Sequence, residues 1–269
     1  MAGYVVSIAG AKGGVGKTTT AINLGTALTE DGYDVVVVDG DLKTPNLGRM
    51  LGLDVERGVH TVLSGDASVR NTLVEIEPGV SVMPGDPSLG AFTDTDPDEL
   101  AGLLGSLRER FDVVVVDTGA GLTHGATVAL SAADGVLCLS TPSSSSVDDA
   151  KSTLELVDRA DGNAVGSLIT CADQADEVFE VFDEFDVSLL GAVPFDREAA
   201  SDEPVVHTHP DSDIAAAYGT LADLLARVMF EDTAAEDLGM AFVEEWFESD
   251  VEGAAVEDDD DESGAFGLF

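Results

Sequence analysis

Residues 4–31 read YVVSIAGAKGGVGKTTTAINLGTALTED. An apolar, β-branched run, Tyr4–Ala9, passes into a glycine-rich loop, and at Lys17 the loop opens into a helical pattern. A strand, a glycine loop and a helix in this order make a cradle for phosphate. Gly13, Gly14 and Gly16 let backbone N–H groups converge on phosphate oxygens with no Cβ in the way. The positive end of the helix points at the same place. Lys17 is expected to reach the β- and γ-phosphates, and the Thr18 hydroxyl to sit on Mg2+. The whole binding stretch is Gly13, Gly14, Val15, Gly16, Lys17, Thr18 and Thr19. One departure is Ala11, where the general pattern GxxxxGK[ST] has glycine.

Lysine is nearly absent elsewhere. Of four lysines in 269 residues, two are Lys12 and Lys17, and the others are Lys43 and Lys151. With 12 Lys+Arg against 53 Asp+Glu the formal net charge is −41. Positive charge that persists in such a chain marks a place where something negative is held. Aspartate outnumbers glutamate 33 to 20. That balance resembles the acidic proteome of an extreme halophile, where molar salt screens self-repulsion. It argues against non-specific DNA binding, which needs clustered Lys/Arg, and against a basic membrane anchor.

The 44% apolar content and 11 Phe supply a packed core, enough for one large α/β domain or two small ones. Cys138 and Cys171 are isolated in apolar stretches and read as buried thiols of a reducing cytosol. There is no CxxC, so the usual zinc or iron–sulfur ligand spacing is missing. The first apolar run leads straight into the glycine loop, unlike a secretory signal. No apolar stretch reaches the ~18 residues that span a bilayer.

Further β-branched runs follow: Asp34–Val38, Val80–Met83, Asp112–Val116, Gly135–Ser140, Val165–Thr170 and Ser188–Val193. VVVVD and DVVVVD are apolar on both faces, as in the centre of a parallel sheet covered by helices. Helical patterns lie between, over Lys17–Asp31, Pro97–Arg110, Leu122–Ala133, Val147–Asp161, Ala175–Phe185 and Asp211–Phe230. The alternation predicts a doubly wound α/β domain whose ligand binds beyond the C-terminal strand ends. Composition breaks after Phe230, where residues 231–269 hold 15 of the 53 acids and no Lys or Arg. The predicted organisation is an α/β domain over 1–230 and an acidic extension over 231–269. Within the extension, Leu238, Phe242, Val243, Trp246 and Phe247 give an amphipathic helix over about 235–249. An acidic run, Glu257–Glu262, then reads as disordered.

The run KGGVGKTT, Lys12–Thr19, resembles the deviant Walker A motif of the MinD/ParA ATPases. VVVVDGDLKTPNL at 35–47 looks like that family's second acidic motif with its switch I segment. VVVVDTGAG at 113–121 looks like its Walker B strand and switch II. Ser140-Thr-Pro142 with Val147-Asp-Asp-Ala150, and Val193-Pro194-Phe195-Asp196, look like two later nucleotide-side junctions. The likeness runs in order over roughly 3–230 and is nearest to MinD. It implies a three-layer P-loop NTPase with a mainly parallel, doubly wound sheet, using ATP/ADP and Mg2+.

On this resemblance Asp41 orients or activates the attacking water, and Asp117 binds the Mg2+ shell with help from Asp39. Lys12 reaches the phosphates of a partner subunit in an ATP-dependent sandwich homodimer. The implied catalytic set is Lys12, Lys17 and Asp41; the implied metal set is Thr18, Asp39 and Asp117. Bacterial relatives often place a base-reading Asn after the sixth strand, where this chain has Thr170-Cys171. Base contacts therefore fall to Pro194, Phe195 and Asp196, and ATP over GTP rests on the family alone.

The implied function is an ATP-driven spatial-positioning switch for division-site or polar machinery, read by a protein partner. The expected location is the cytoplasm, peripheral to the membrane or at a pole. The alternative is a ParA-type partition ATPase, which the acidic surface disfavours. An iron–sulfur carrier ATPase lacks its paired cysteines here, and nothing marks the substrate pocket of a ligase. The tail departs from the basic membrane helix of bacterial MinD. It has an apolar stripe but no cation to meet anionic lipid, which leaves membrane association open by another route.

Overall fold

Valine runs decide the centre of the sheet. In the computed structural model β2 (Val35–Gly40) and β5 (Val113–Thr118) are buried at all six positions. β1 (Tyr4–Ala9) is buried at five of six. Successive residues of a strand face opposite sides, so each run feeds two cores. Val35, Val37, Val113 and Val115 pack with Ile22, Leu24 and Leu28 of the first helix, Lys17–Glu30, and with Tyr218 and Leu221 of the long helix Asp213–Phe230. Val36, Val38, Val114 and Val116 face the other way, onto Leu100, Leu103, Leu104 and Leu107 of helix Glu99–Leu107 and Ala129 of helix His124–Ala132. The result is three layers, helix–sheet–helix.

The structure describes residues 2–121, 123–172, 178, 181, 184–196, 202–231 and 233–234. With β3 (Val74–Ile76), β4 (Val80–Met83), β6 (Gly135–Ser140), β7 (Ala164–Thr170) and β8 (Leu189–Val193), the strand order is β3-β4-β2-β5-β1-β6-β7-β8. Every pairing is parallel except β3 with β4. From the central β1 the chain winds outward to both sides. Parallel register puts the C-terminal ends of β1, β2 and β5 side by side. Ile8 lies opposite Asp117, and Asp117 opposite Asp39.

The doubly wound α/β expectation holds, with strand bounds shifted by at most two residues. Four differences have physical reasons. β3 is three residues at an antiparallel edge, two half-buried and Glu75 exposed, too short for a period of two to register. Helices Leu47–Met50, Val59–Leu63, Leu89–Asp94 and Val205–Thr208 are each under two turns and carry no amphipathic signal. Helix Ser144–Arg159 begins three residues before the expected Val147, because the serine run supplies its first turn. Cys138 is buried as expected, and burial pushes its thiol up to about 12. Cys171 is exposed instead. β7 ends at Thr170, and at Cys171 a left-handed φ of 56° turns the chain out of the sheet.

The expected tail helix over 235–249 lies outside the described residues, as does most of the expected helix Ala175–Phe185. Among the described residues, no helix is long and apolar enough to cross a membrane.

Leu104 is about as buried as a side chain can be, at 1% exposure. Leu104→Ala is expected to cost about 2–5 kcal/mol of folding stability. Urea titration should show a lower midpoint at unchanged slope.

Candidate active site

The loop between β1 and the first helix is built on two left-handed glycines, Gly14 at φ 85° and Gly16 at φ 84°. A Cβ at either would strain the backbone. Gly16 is also the helix N-cap and carries no side-chain cap, and no acid lies in the first turn. The first N–H groups of the helix therefore lack intrahelical partners and favour an anion. The loop is latched from β7. Thr170 Oγ1 lies 2.9 Å from the Val15 carbonyl and 3.1 Å from the Ser140 carbonyl.

The two signature lysines separate. Lys17 is buried and its Nζ donates to the Lys12 carbonyl at 3.2 Å. Burial lowers its pKa, opposed by the nearby charges of Asp117 and Asp41. Lys12 is exposed, and its ammonium reaches outward to Ser145 Oγ at 3.1 Å.

Asp39 and Asp117 end neighbouring strands and are buried to 0% and 1% exposure. Asp39 Oδ2 accepts the N–H groups of Asn46 at 3.0 Å and Leu47 at 3.1 Å. Asp117 Oδ2 accepts the Thr18 hydroxyl at 2.6 Å. The other oxygen of each, Asp39 Oδ1 and Asp117 Oδ1, is buried with no hydrogen-bond partner. Burial, reinforced by the neighbouring Asp117, pushes Asp39 up to about 8. Burial pushes Asp117 up to about 7, against the pull of Thr18 and Lys17.

Asp41 stands at the rim. Its Oδ1 accepts the Thr44 N–H at 2.9 Å and its Oδ2 the Thr44 hydroxyl at 2.8 Å. It packs so closely on Gly119 that a Cβ there would meet Oδ1 at 3.0 Å. Strand ends thus bring Lys17, Thr18, Asp39, Asp41 and Asp117 together. Pro194, Phe195 and Asp196 follow β8 at the same edge of the sheet. Val193 pairs with Thr170, so Pro194 begins one residue beyond the latch, and Phe195 is half exposed.

The donor set fits Mg2+. Asp39 and Asp117, paired across β2 and β5, each keep an orphaned carboxylate oxygen, and the Thr18 hydroxyl lies on Asp117, while among the described residues no three His, Cys, Asp or Glu form a closed metal cage. Mg2+ is typically held by one or two carboxylates plus substrate phosphates and water.

Sequence comparison agrees with this geometry. A family model described as an AAA domain matches residues 3–165. An uncharacterized ATP-binding protein of Methanocaldococcus jannaschii is 30% identical, with 84% of this chain and 89% of that one aligned. The septum site-determining protein MinD of Synechocystis is 29% identical over 72% of this chain and 77% of its own. Septum site-determining MinD of Pyrococcus horikoshii, solved with Mg-ADP, superposes at a TM-score of 0.78. It is 29% identical, with 86% of this chain and 98% of that one covered. The chain belongs to the MinD/ParA family of P-loop ATPases. Its cofactors are the adenine nucleotide and Mg2+ seen in that MinD structure.

Two further contributors escaped the sequence. Thr170, where bacterial relatives often have a base-reading Asn, holds the phosphate loop. Asn23, inside the first helix, joins the Thr19 carbonyl to Glu203 Oε2 at 2.9 and 2.7 Å and accepts the Val206 N–H at 3.0 Å. It ties the MinD-like phosphate helix to the segment after β8. Neither has a local sequence signal, because the partners they join across the fold lie 30 to 183 positions away in strand ends and loops.

Raised acid pKa values mean that the folded chain keeps protons which the unfolded chain releases above the ordinary carboxylate range near pH 4. Without Mg2+ or nucleotide, folding stability should therefore fall as pH rises from about 4 toward the Asp39 value of about 8. Urea midpoints at pH 6 and pH 8 are expected to show the drop, and Asp39→Asn to shrink it. An undiminished drop in Asp39→Asn would place the pH dependence elsewhere.

Proposed function

We propose that this chain is a MinD-type ATP hydrolase. ATP holds two copies face to face, hydrolysis separates them, and the cycle positions division-site or polar machinery at the cytoplasmic side of the cell. The observation that carries the reading is the separation of Lys12 from Lys17. Lys17 lies inside the cradle, whereas Lys12 turns its ammonium outward while its carbonyl stays in the loop. One cation then serves the chain's own phosphates, and the other is free to serve phosphates held by a second copy.

The chemistry is phosphoryl transfer to water, which needs positioning and charge neutralisation rather than a covalent intermediate. The N–H groups of 13–19 and the Lys17 ammonium bind the β- and γ-phosphates. Asp41, at the rim and held by Thr44, orients the attacking water and accepts its proton. Thr18, Asp117 and the free oxygen of Asp39 would hold Mg2+, which neutralises charge on the phosphates. Asp39 keeps its other oxygen on the 46–47 amides, which links the metal position to the Asp41 loop. Pro194–Asp196 border the base. Loss of the γ-phosphate would release the loops around Asp41 and Gly119, and with them the dimer.

The acidic surface supports a positioning switch over a partition ATPase, because DNA contact needs clustered cations and this chain has 12 Lys+Arg against 53 Asp+Glu.

Two variants test the reading by light scattering and phosphate release. Lys12→Ala is expected to remain monomeric with Mg-ATP and to lose turnover on the order of a thousandfold, as when a trans-acting cation is removed. Asp41→Ala is expected to dimerise with ATP and persist as a dimer, since water is no longer activated. Normal dimerisation and turnover by Lys12→Ala would overturn the cross-subunit role.

A further inference from the structure

His60 lies on the short helix Val59–Leu63, is 1% exposed and contributes nothing to the phosphate cradle itself. Its ring bridges two main-chain groups of opposite polarity. The Asp86 N–H donates to Nδ1 at 3.1 Å, and Nε2 lies 2.8 Å from the Leu42 carbonyl. A backbone N–H can only donate and a carbonyl can only accept. Nδ1 is therefore the acceptor and Nε2 carries the proton, which it donates to Leu42. The ring is a neutral imidazole in one tautomer, inferred from its partners.

Three segments converge on this ring. The Val59 N–H donates to the Pro84 carbonyl at 2.9 Å, docking the histidine's helix on the loop after β4. A Cβ on Gly85 would lie 2.4 Å from Pro45 Cβ and 3.2 Å from His60 Cε1. Pro45 and Leu42 belong to the loop that carries Asp41. That loop is thus anchored at both ends. Asp39 holds the N–H groups of Asn46 and Leu47 at its far end, and His60 holds the Leu42 carbonyl at its near end. Asp41 comes immediately before Leu42 and packs on Gly119.

We propose that His60 is a positioning residue for ATP hydrolysis: through its Nε2–H bond to the Leu42 carbonyl it sets where Asp41 meets the attacking water. The inference rests on the reading of Asp41 as the water-orienting group. It predicts that the donor to Leu42 matters and that the acceptor toward Asp86 matters less. A glutamine can place an amide N–H where Nε2 stands, whereas an asparagine reaches only as far as Nδ1.

The test uses the full chain as wild type, His60→Gln and His60→Asn. Steady-state ATP hydrolysis and amide hydrogen exchange at Thr44, Asn46 and Leu47, read without nucleotide, are both measured. His60→Gln is expected to stay close to wild type in kcat. His60→Asn is expected to lose kcat on the order of tenfold or more, as misplacing a catalytic group does, at unchanged KM for ATP. Exchange at the three amides should quicken in His60→Asn and not in His60→Gln. Equal exchange in the two variants overturns the inference. So does equal kcat wherever the wild type turns ATP over. A wild-type chain that fails to hydrolyse ATP would sink the proposed function, while the exchange comparison would still decide whether His60 holds the loop.

Discussion

Two carboxyl groups buried side by side are the constraint around which this molecule is arranged. Asp39 and Asp117 end neighbouring strands in register, so their mutual repulsion and their loss of water come together. Burying an unpaired charge is costly. The chain offsets part of that cost with two amides for Asp39, a hydroxyl for Asp117 and the Lys17 ammonium nearby. Each compensating group also fixes a piece of the site. The amides belong to the segment that follows Asp41, the hydroxyl to the first turn of the phosphate helix, and the ammonium to the cradle. The cost of the carboxylates and the placement of the loops are one problem with one solution.

The three-layer architecture makes that solution rigid. Strands whose alternate valines feed opposite cores cannot slip in register without turning apolar side chains against the wrong helices. Their C-terminal ends are thus fixed to the accuracy of the sheet. Loops leave those ends and are caught again by long-range hydrogen bonds. Thr170 catches the phosphate loop, Asn23 and Glu203 catch the chain beyond β8, and His60 catches the Asp41 loop. The backbone amides and carbonyls of irregular segments, which burial would otherwise orphan, become the means of positioning.

These differences decide what could be read from the sequence. The phosphate loop was legible because its chemistry is local: glycines at positive φ, a lysine and a hydroxyl must fall within eight residues. The central strands were legible because burial on both faces demands uninterrupted valine. Asp39 and Asp117 were legible as acids that end such runs. His60 was not, since its partners are main-chain groups 18 and 26 residues away that any sequence would supply. Thr170 was read only as standing where relatives place a base-reading Asn, and nothing local announced that its hydroxyl turns to the loop. The exposure of Cys171 depends on a single left-handed residue after a strand, which the apolar neighbourhood conceals.

The placement of the lysines has a kinetic consequence. Lys12 and Lys17 lie in the cradle and Lys43 in the Asp41 loop, while the rest of the chain is overwhelmingly acidic, with a net charge of −41. An approaching polyphosphate meets repulsion at long range and attraction only on arrival. The repulsive field reaches about 30 Å at 0.01 M salt and about 3 Å at 1 M. Added salt therefore erases the barrier before it weakens the contact. Nucleotide capture by this protein is therefore expected to quicken as ionic strength rises, the reverse of an enzyme that draws its anionic substrate in through a cationic field.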